Sequence, residues 1–138
     1  MTLNVDLIRA RCAEIEESVS RLEKIRAQPR DEFLADRDIQ DIACYRLLVA
    51  IEAAIALCYH VSARQSHKVP EEYAECFRLL GETQVIPVDL AARLQLMARF
   101  RNLLVHMYWK LDYSRVYDVL DESLADLRAF CSSVAQLI

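Results

Sequence analysis

Along the first thirty positions of the chain, Val5, Ile8, Cys12, Ile15, Val19 and Leu22 recur at steps of three and four with charged residues between them. That period is the apolar stripe of an amphipathic helix, and it predicts a first helix over about 3–27. Pro29 and the mixed stretch RDEFLA interrupt the pattern. From about Asp36 to Gln65 a second helix is predicted, apolar on nearly every side between Leu47 and Val61. A helix apolar all round is surrounded by other helices, so this one is expected to be the central strut. Pro70 followed by Glu71 and Glu72 is a good helix start and predicts a short third helix, stopped by Gly81. Pro87 and Asp89 start a fourth in the same way. Asp112 or Ser114 caps a fifth, in which Val116, Leu120, Ser123, Leu127, Phe130, Val134 and Leu137 resume the three-four spacing. The expected fold is all-α, an up-and-down bundle of four long helices and one short one, in a single domain over residues 1–138.

Composition sharpens this picture in two places. One Gly and three Pro leave little material for the turns of a many-stranded protein, and 54% apolar residues suffice for a sizeable core. The formal net charge of -4 argues against a pervasive basic surface, so contact with a nucleic acid must use a local patch. The five cysteines, Cys12, Cys44, Cys58, Cys76 and Cys131, have no C-x-x-C spacing. They make neither a disulfide framework nor a zinc site, and read as small buried residues of a cytoplasmic protein. The opening stretch is charged throughout, which is not a signal peptide. The membrane suspect, LLVAIEAAIALCYHV at 47–61, is shorter than the roughly 20 residues of a span and has Glu52 near its centre. No membrane association is expected.

Chemistry gathers in the predicted fourth helix, in ARFRNLLVHMYWKLD at 98–112. At 100° per residue, Leu90, Leu94, Met97, Leu104 and Tyr108 fall within about 60° of Arg101, which therefore sits inside an apolar stripe. A second apolar row, Leu96, Phe100, Leu103 and Met107, lies on another face. Two such rows cover more of the helix than one core needs and suggest that part of it faces a second subunit. Gln95, Arg99, Asn102, His106 and Lys110 form a polar strip, in which the Asn102 amide can orient the His106 imidazole four residues on. Arg99 and Lys110 flank this pair with positive charge suited to a phosphate. Arg101 and His106, five apart, project about 140° from one another. Either the helix is distorted there or two chains pool their residues across a two-fold axis.

Each of these residues has a plainer explanation when taken alone. An Arg beside an apolar stripe usually snorkels or pairs, and a lone His is usually a satisfied polar residue. Together, however, the residues spell R-N-x-x-x-H-x-Y. The segment RNLLVHMY, led by LAARLQLMARF, resembles the HEPN superfamily and, within it, the HepT-like toxins of toxin–antitoxin pairs. The motif falls on Arg101, Asn102, His106 and Tyr108, and the flanking order of elements extends the resemblance to roughly residues 36–130. Met107 departs from the pattern, because many relatives carry an acidic residue there.

The resemblance implies a HEPN-like fold and a metal-independent endoribonuclease working as a homodimer, with RNA (tRNA or mRNA) as substrate. No cofactor and no metal site are implied, and DNA is not an expected partner. Imidazole titrates near neutrality, so His106 is suited to move protons between the ribose 2′-hydroxyl, the phosphate and the leaving 5′-oxygen. Arg101 is suited to hold the phosphate and stabilise the charge building on its oxygens. Asn102 would orient His106 or the phosphate.

In the HepT branch the motif tyrosine accepts adenylyl groups from a cognate minimal nucleotidyltransferase antitoxin. Tyr108 is thus the candidate for this AMPylation, which would add bulk and negative charge beside Arg101; it is equally readable as a packing residue. Glu52, on an apolar helix, needs a partner, and Arg101 is the candidate, with an orienting role favoured over direct catalysis. His60 and His67, with Arg64 and Lys68, read as surface residues, the alternative being a rim that binds RNA. The competing function is a non-catalytic module that holds a nucleotide or regulates a nucleotidyltransferase.

Overall fold

The computed structural model describes residues 2–65 and 70–138, the side chain of Tyr108 excepted. His67 and Lys68 lie outside the described residues. Six α-helices are found among them: α1 (Val5–Arg26), α2 (Arg30–Ala35), α3 (Arg37–Gln65), α4 (Tyr73–Glu82), α5 (Val88–His106) and α6 (Tyr113–Ala135). A single 3-10 turn, Tyr108–Lys110, joins α5 to α6. The all-α expectation holds, with α2 as an added element. Six residues with only Phe33 buried carry no readable period, and α2 makes a helical corner out of the break expected at RDEFLA.

The caps explain where the long helices begin. The Asn4 side chain accepts from Leu7 N–H at the start of α1, and Asp112 accepts from Ser114 N–H at the start of α6. Pro87 precedes α5 with φ -60, already close to the helical value. The start of α4 is later than Pro70 suggests, with Glu72 as its N-cap.

The end of α4 also differs from expectation, and the reason is instructive. Gly81 does not stop the helix; it lies inside it. The chain leaves α4 at Gln84, whose φ of 64 is left-handed. Gln84 N–H donates to the Gly81 carbonyl at 3.2 Å and Val85 N–H to the Leu80 carbonyl at 2.9 Å, the paired bonds of a Schellman cap. Gly81 serves packing instead: a Cβ added there would lie 2.7 Å from the Ala91 Cβ, so its absence lets α4 approach α5.

Helix directions follow from the cross-links. Asn4 at the start of α1 donates its backbone N–H to His60 Nε2 near the end of α3, at 3.0 Å, so these helices run antiparallel. The Tyr117 hydroxyl at the start of α6 donates to the carbonyls of Arg26 and Gln28 at the end of α1. Arg93 of α5 bonds Asp126 of α6 at 2.9 Å, and the short link from α5 to α6 makes that pair antiparallel too. The result is the expected up-and-down bundle, with α3 touching α1, α2, α4, α5 and α6. By length and composition α3 is apolar enough to cross a membrane. Its central place in the core, where Leu47, Ala50, Ile51, Ala54 and Leu57 are fully buried, accounts for that character. Phe77 of α4 and Phe130 of α6 meet edge-on at 5.5 Å in the same core.

All five cysteines are free. Cys58 and Cys76 are fully buried and burial drives the Cys58 thiol far up. Cys12, Cys44 and Cys131 are only half-buried, which corrects the expectation that all five are interior.

Candidate active site

The motif helix α5 is held against α3 and α4 by the stripe that the sequence pattern predicts. Leu90, Leu94, Met97 and Leu104 are buried, and Arg101 emerges among them. Its side chain retains 15% of its exposure, against 44% for its partner Glu52, whose Oε1 accepts from Arg101 Nε at 2.5 Å. The expected partner of Glu52 is therefore Arg101, although Glu52 itself is only half-buried. Arg101 Nη1 also donates to the Asn102 side-chain oxygen at 3.3 Å. On its flat face the guanidinium meets an aromatic ring, with Cζ 4.8 Å from the centroid of Tyr73.

Asn102 thus turns to Arg101 rather than to His106. Among the described residues His106 has no hydrogen-bond partner, and it is exposed. His106 is the last residue of α5. Met107 has φ -134 and ψ 32, outside the helical well, and the next three residues tighten into a 3-10 turn closed by Lys110 N–H donating to the Met107 carbonyl at 2.9 Å. The chain must reverse here to begin the antiparallel α6 at Tyr113. Lys110 consequently leaves the polar strip, and the backbone of Tyr108 the apolar stripe, to which the periodic reading assigned them. Arg99 stays on it and is exposed.

Arg101 and His106 both belong to α5, His106 as its last residue. Arg101 faces inward to α3 and α4, and His106 faces out. The second apolar row is largely uncovered, with Leu96 60% and Leu103 44% exposed, joined by Trp109 at 66%. Phe100 alone of that row is buried.

A cleft of about 360 Å³ opens beside the Arg101 cluster, lined by Tyr73, Ala98, Arg99 and Asn102 together with Glu71 and Glu72. Glu71 and Glu72 bring negative charge to this cleft and Arg99 positive charge. Among the described residues no group of three or more His, Cys, Asp or Glu is placed to hold a metal ion.

His60 belongs elsewhere. Neither a surface residue nor an RNA rim, it is buried at the start of α1, accepting from Asn4 N–H, and burial with nearby Arg64 holds its pKa below the ordinary value. The residue missed by sequence reasoning is Tyr73. It lies outside the motif, and its only signal is an aromatic at the first position of a helix start.

The chain's relationships agree with this geometry. The family described as "Ribonuclease HepT-like" matches residues 15–134. The mRNA nuclease HepT of Shewanella oneidensis is 27% identical over 125 residues, covering 91% of this chain and 93% of that protein. A solved structure of a tri-AMPylated Shewanella oneidensis HEPN toxin in complex with MNT antitoxin superimposes with a TM-score of 0.87 at 26% identity, over 96% of this chain and 99% of the other. A toxin–antitoxin structure with AMP-PNP gives 0.84 at 25% identity, over 95% and 99%. In sequence, fold and motif the chain belongs to the HepT-like family, as a ribonuclease of the toxin–antitoxin type.

Proposed function

We propose that this chain cleaves RNA without a metal ion, in a homodimer whose cleft combines Arg101 of one protomer with His106 of the other. The observation that carries the reading is the contrast along α5: a guanidinium gripped on its inner side by Glu52 and Asn102, and an exposed imidazole on the other side of the same straight helix. About 140° of rotation and 7.5 Å of rise separate them, so one chain does not aim both at one phosphate. The uncovered Leu96, Leu103 and Trp109 supply apolar surface for a second copy.

In this scheme the ribose 2′-hydroxyl gives up its proton and attacks the adjacent phosphorus. The bond to the 5′-oxygen breaks, leaving a 2′,3′-cyclic phosphate and a 5′-hydroxyl. His106 takes or supplies the proton, and Arg101 binds the phosphate oxygens as their charge increases. Asn102 acts by fixing Arg101, and Arg99 and Lys110 attract the RNA backbone. The cognate antitoxin is a minimal nucleotidyltransferase that adenylylates Tyr108, on the 3-10 turn just past His106. That reading is supported by the AMPylated state of the Shewanella toxin in its complex. The pair works in the cytoplasm.

The test is RNA cleavage in excess chelator, with fragment ends mapped, by wild type, Arg101→Ala, His106→Ala and a refolded mixture of the two variants. Each variant alone is expected to be inactive. The mixture should recover part of the activity, because mixed dimers contain one intact composite cleft. Inactive mixtures with confirmed subunit exchange would refute the pooled site, and full activity of His106→Ala would refute its role in the chemistry.

A further inference from the structure

We infer that Tyr73 is a positioning residue for RNA cleavage, acting through Arg101. The inference rests on the reading of Arg101 as the phosphate-binding group, and adds what holds that group in place. An arginine has a long flexible stem, and a phosphate clamp is only as good as the orientation of its planar fork. Glu52 on Nε and Asn102 on Nη1 both act in the plane of the guanidinium. In-plane contacts leave the fork able to roll about the line joining them. A ring against its face stops that roll, and does so without consuming an N–H donor. Nη2 is left for a substrate oxygen.

Tyr73 is itself fixed. Its ring meets Tyr59 of α3 edge-on, at 5.9 Å and 89°. The Tyr59 hydroxyl donates to the carbonyl of Pro70, three residues before Tyr73, at 3.3 Å. Glu52 and Tyr59 are seven apart on α3, which places them about 20° apart around the helix and about 10.5 Å along it. One face of α3 therefore grips Arg101 twice: directly through Glu52 and, two turns on, through Tyr59 and Tyr73.

The role belongs to the ring, so the conservative Tyr73→Phe variant should cleave RNA within about twofold of wild type, whereas Tyr73→Leu should lose roughly tenfold in kcat. In an Arg101→Lys background, Tyr73→Leu should add little, because the group it acts through is gone. Nitrogen-15 arginine NMR reads the cause independently of activity. The Arg101 Nε–H, assigned by its absence in Arg101→Lys, should exchange slowly in wild type and Tyr73→Phe and faster in Tyr73→Leu. If Tyr73→Leu does not fold, pentafluorophenylalanine at 73 keeps the ring's shape, reverses its quadrupole and has the same expected result. Wild-type cleavage by Tyr73→Leu, lost cleavage with unchanged Nε–H exchange, or equal damage from Tyr73→Phe would each overturn the inference. Wild-type protein that cuts no RNA would instead overturn the ribonuclease scheme, and the exchange measurement would still decide whether Tyr73 holds Arg101.

Discussion

Replacing Gly81 by Ala sets two effects of opposite sign against each other, and the structure says which prevails. Inside a helix, Gly to Ala ordinarily gains about 1 kcal/mol through reduced backbone entropy. At Gly81 the new Cβ would stand 2.7 Å from the Ala91 Cβ, where carbon atoms normally rest about 3.5–4.0 Å apart. Neither atom is the tip of a flexible side chain, so α4 and α5 must part by about 1 Å, and such overpacking costs about 1–3 kcal/mol. The net expectation is a loss of about 1 kcal/mol, a melting temperature lower by about 3 °C for a chain of this size. Thermal unfolding by circular dichroism reads it, with Ala91→Gly as the companion. The double variant should be more stable than the sum of the two single changes predicts, by about 1 kcal/mol or more. A higher melting point for Gly81→Ala, with additive singles, would refute the close-approach account. Cleavage should fall with stability here, because α4 supplies Tyr73 and α5 supplies Arg101.

Three further changes test other parts of the molecule. Glu52→Gln is expected to cost no more than about 1 kcal/mol in a melt, since Glu52 is nearly half exposed, while single-turnover cleavage falls roughly tenfold as Arg101 loosens; undiminished cleavage would remove Glu52 from the site. Gln84→Gly relieves a left-handed residue at the end of α4 and should stabilise the fold by about 0.5–1 kcal/mol, measured by urea unfolding. His60 has its pKa lowered in the folded state, so the unfolded chain binds the extra proton first: stability should be full above about pH 6.5 and decline as the pH falls below it. His60→Gln, which can still accept from Asn4 N–H, should flatten that decline, and an unchanged pH profile in the variant would assign it to other groups.

What could be read in advance depended on whether a residue's role leaves a periodic or a costly trace. The stripes of α1, α5 and α6 were legible because burial repeats every three or four positions. The pairing of Glu52 was legible from a carboxylate on an apolar helix and an arginine in an apolar stripe; of the two it is Arg101 that is mostly buried, while Glu52 stays nearly half exposed. The glycine misled because Gly has two uses. Gly81 serves close approach to Ala91, while Gln84, a residue with no turn signature, adopts the left-handed cap. His60 misled because its partner is a backbone N–H of a helix 56 residues away. Tyr73 left only the trace of an aromatic at a helix start: a ring over a guanidinium 28 positions later has no spacing rule, and only the packing of α4 against α5 creates it.

The limits of the helical reading around His106 bear directly on the chemistry. Continued to residue 112, α5 would have placed Lys110 in line with Asn102 and His106 and made a single polar ridge. Instead the helix stops at His106, and Tyr108, Trp109 and Lys110 turn away toward α6. A histidine at the last position of a helix is free of the crowding of a following helical turn. The same break puts the backbone of Tyr108 on a tight turn immediately outside the motif helix, rather than on the buried stripe that the 100° period assigns to it beside Leu104.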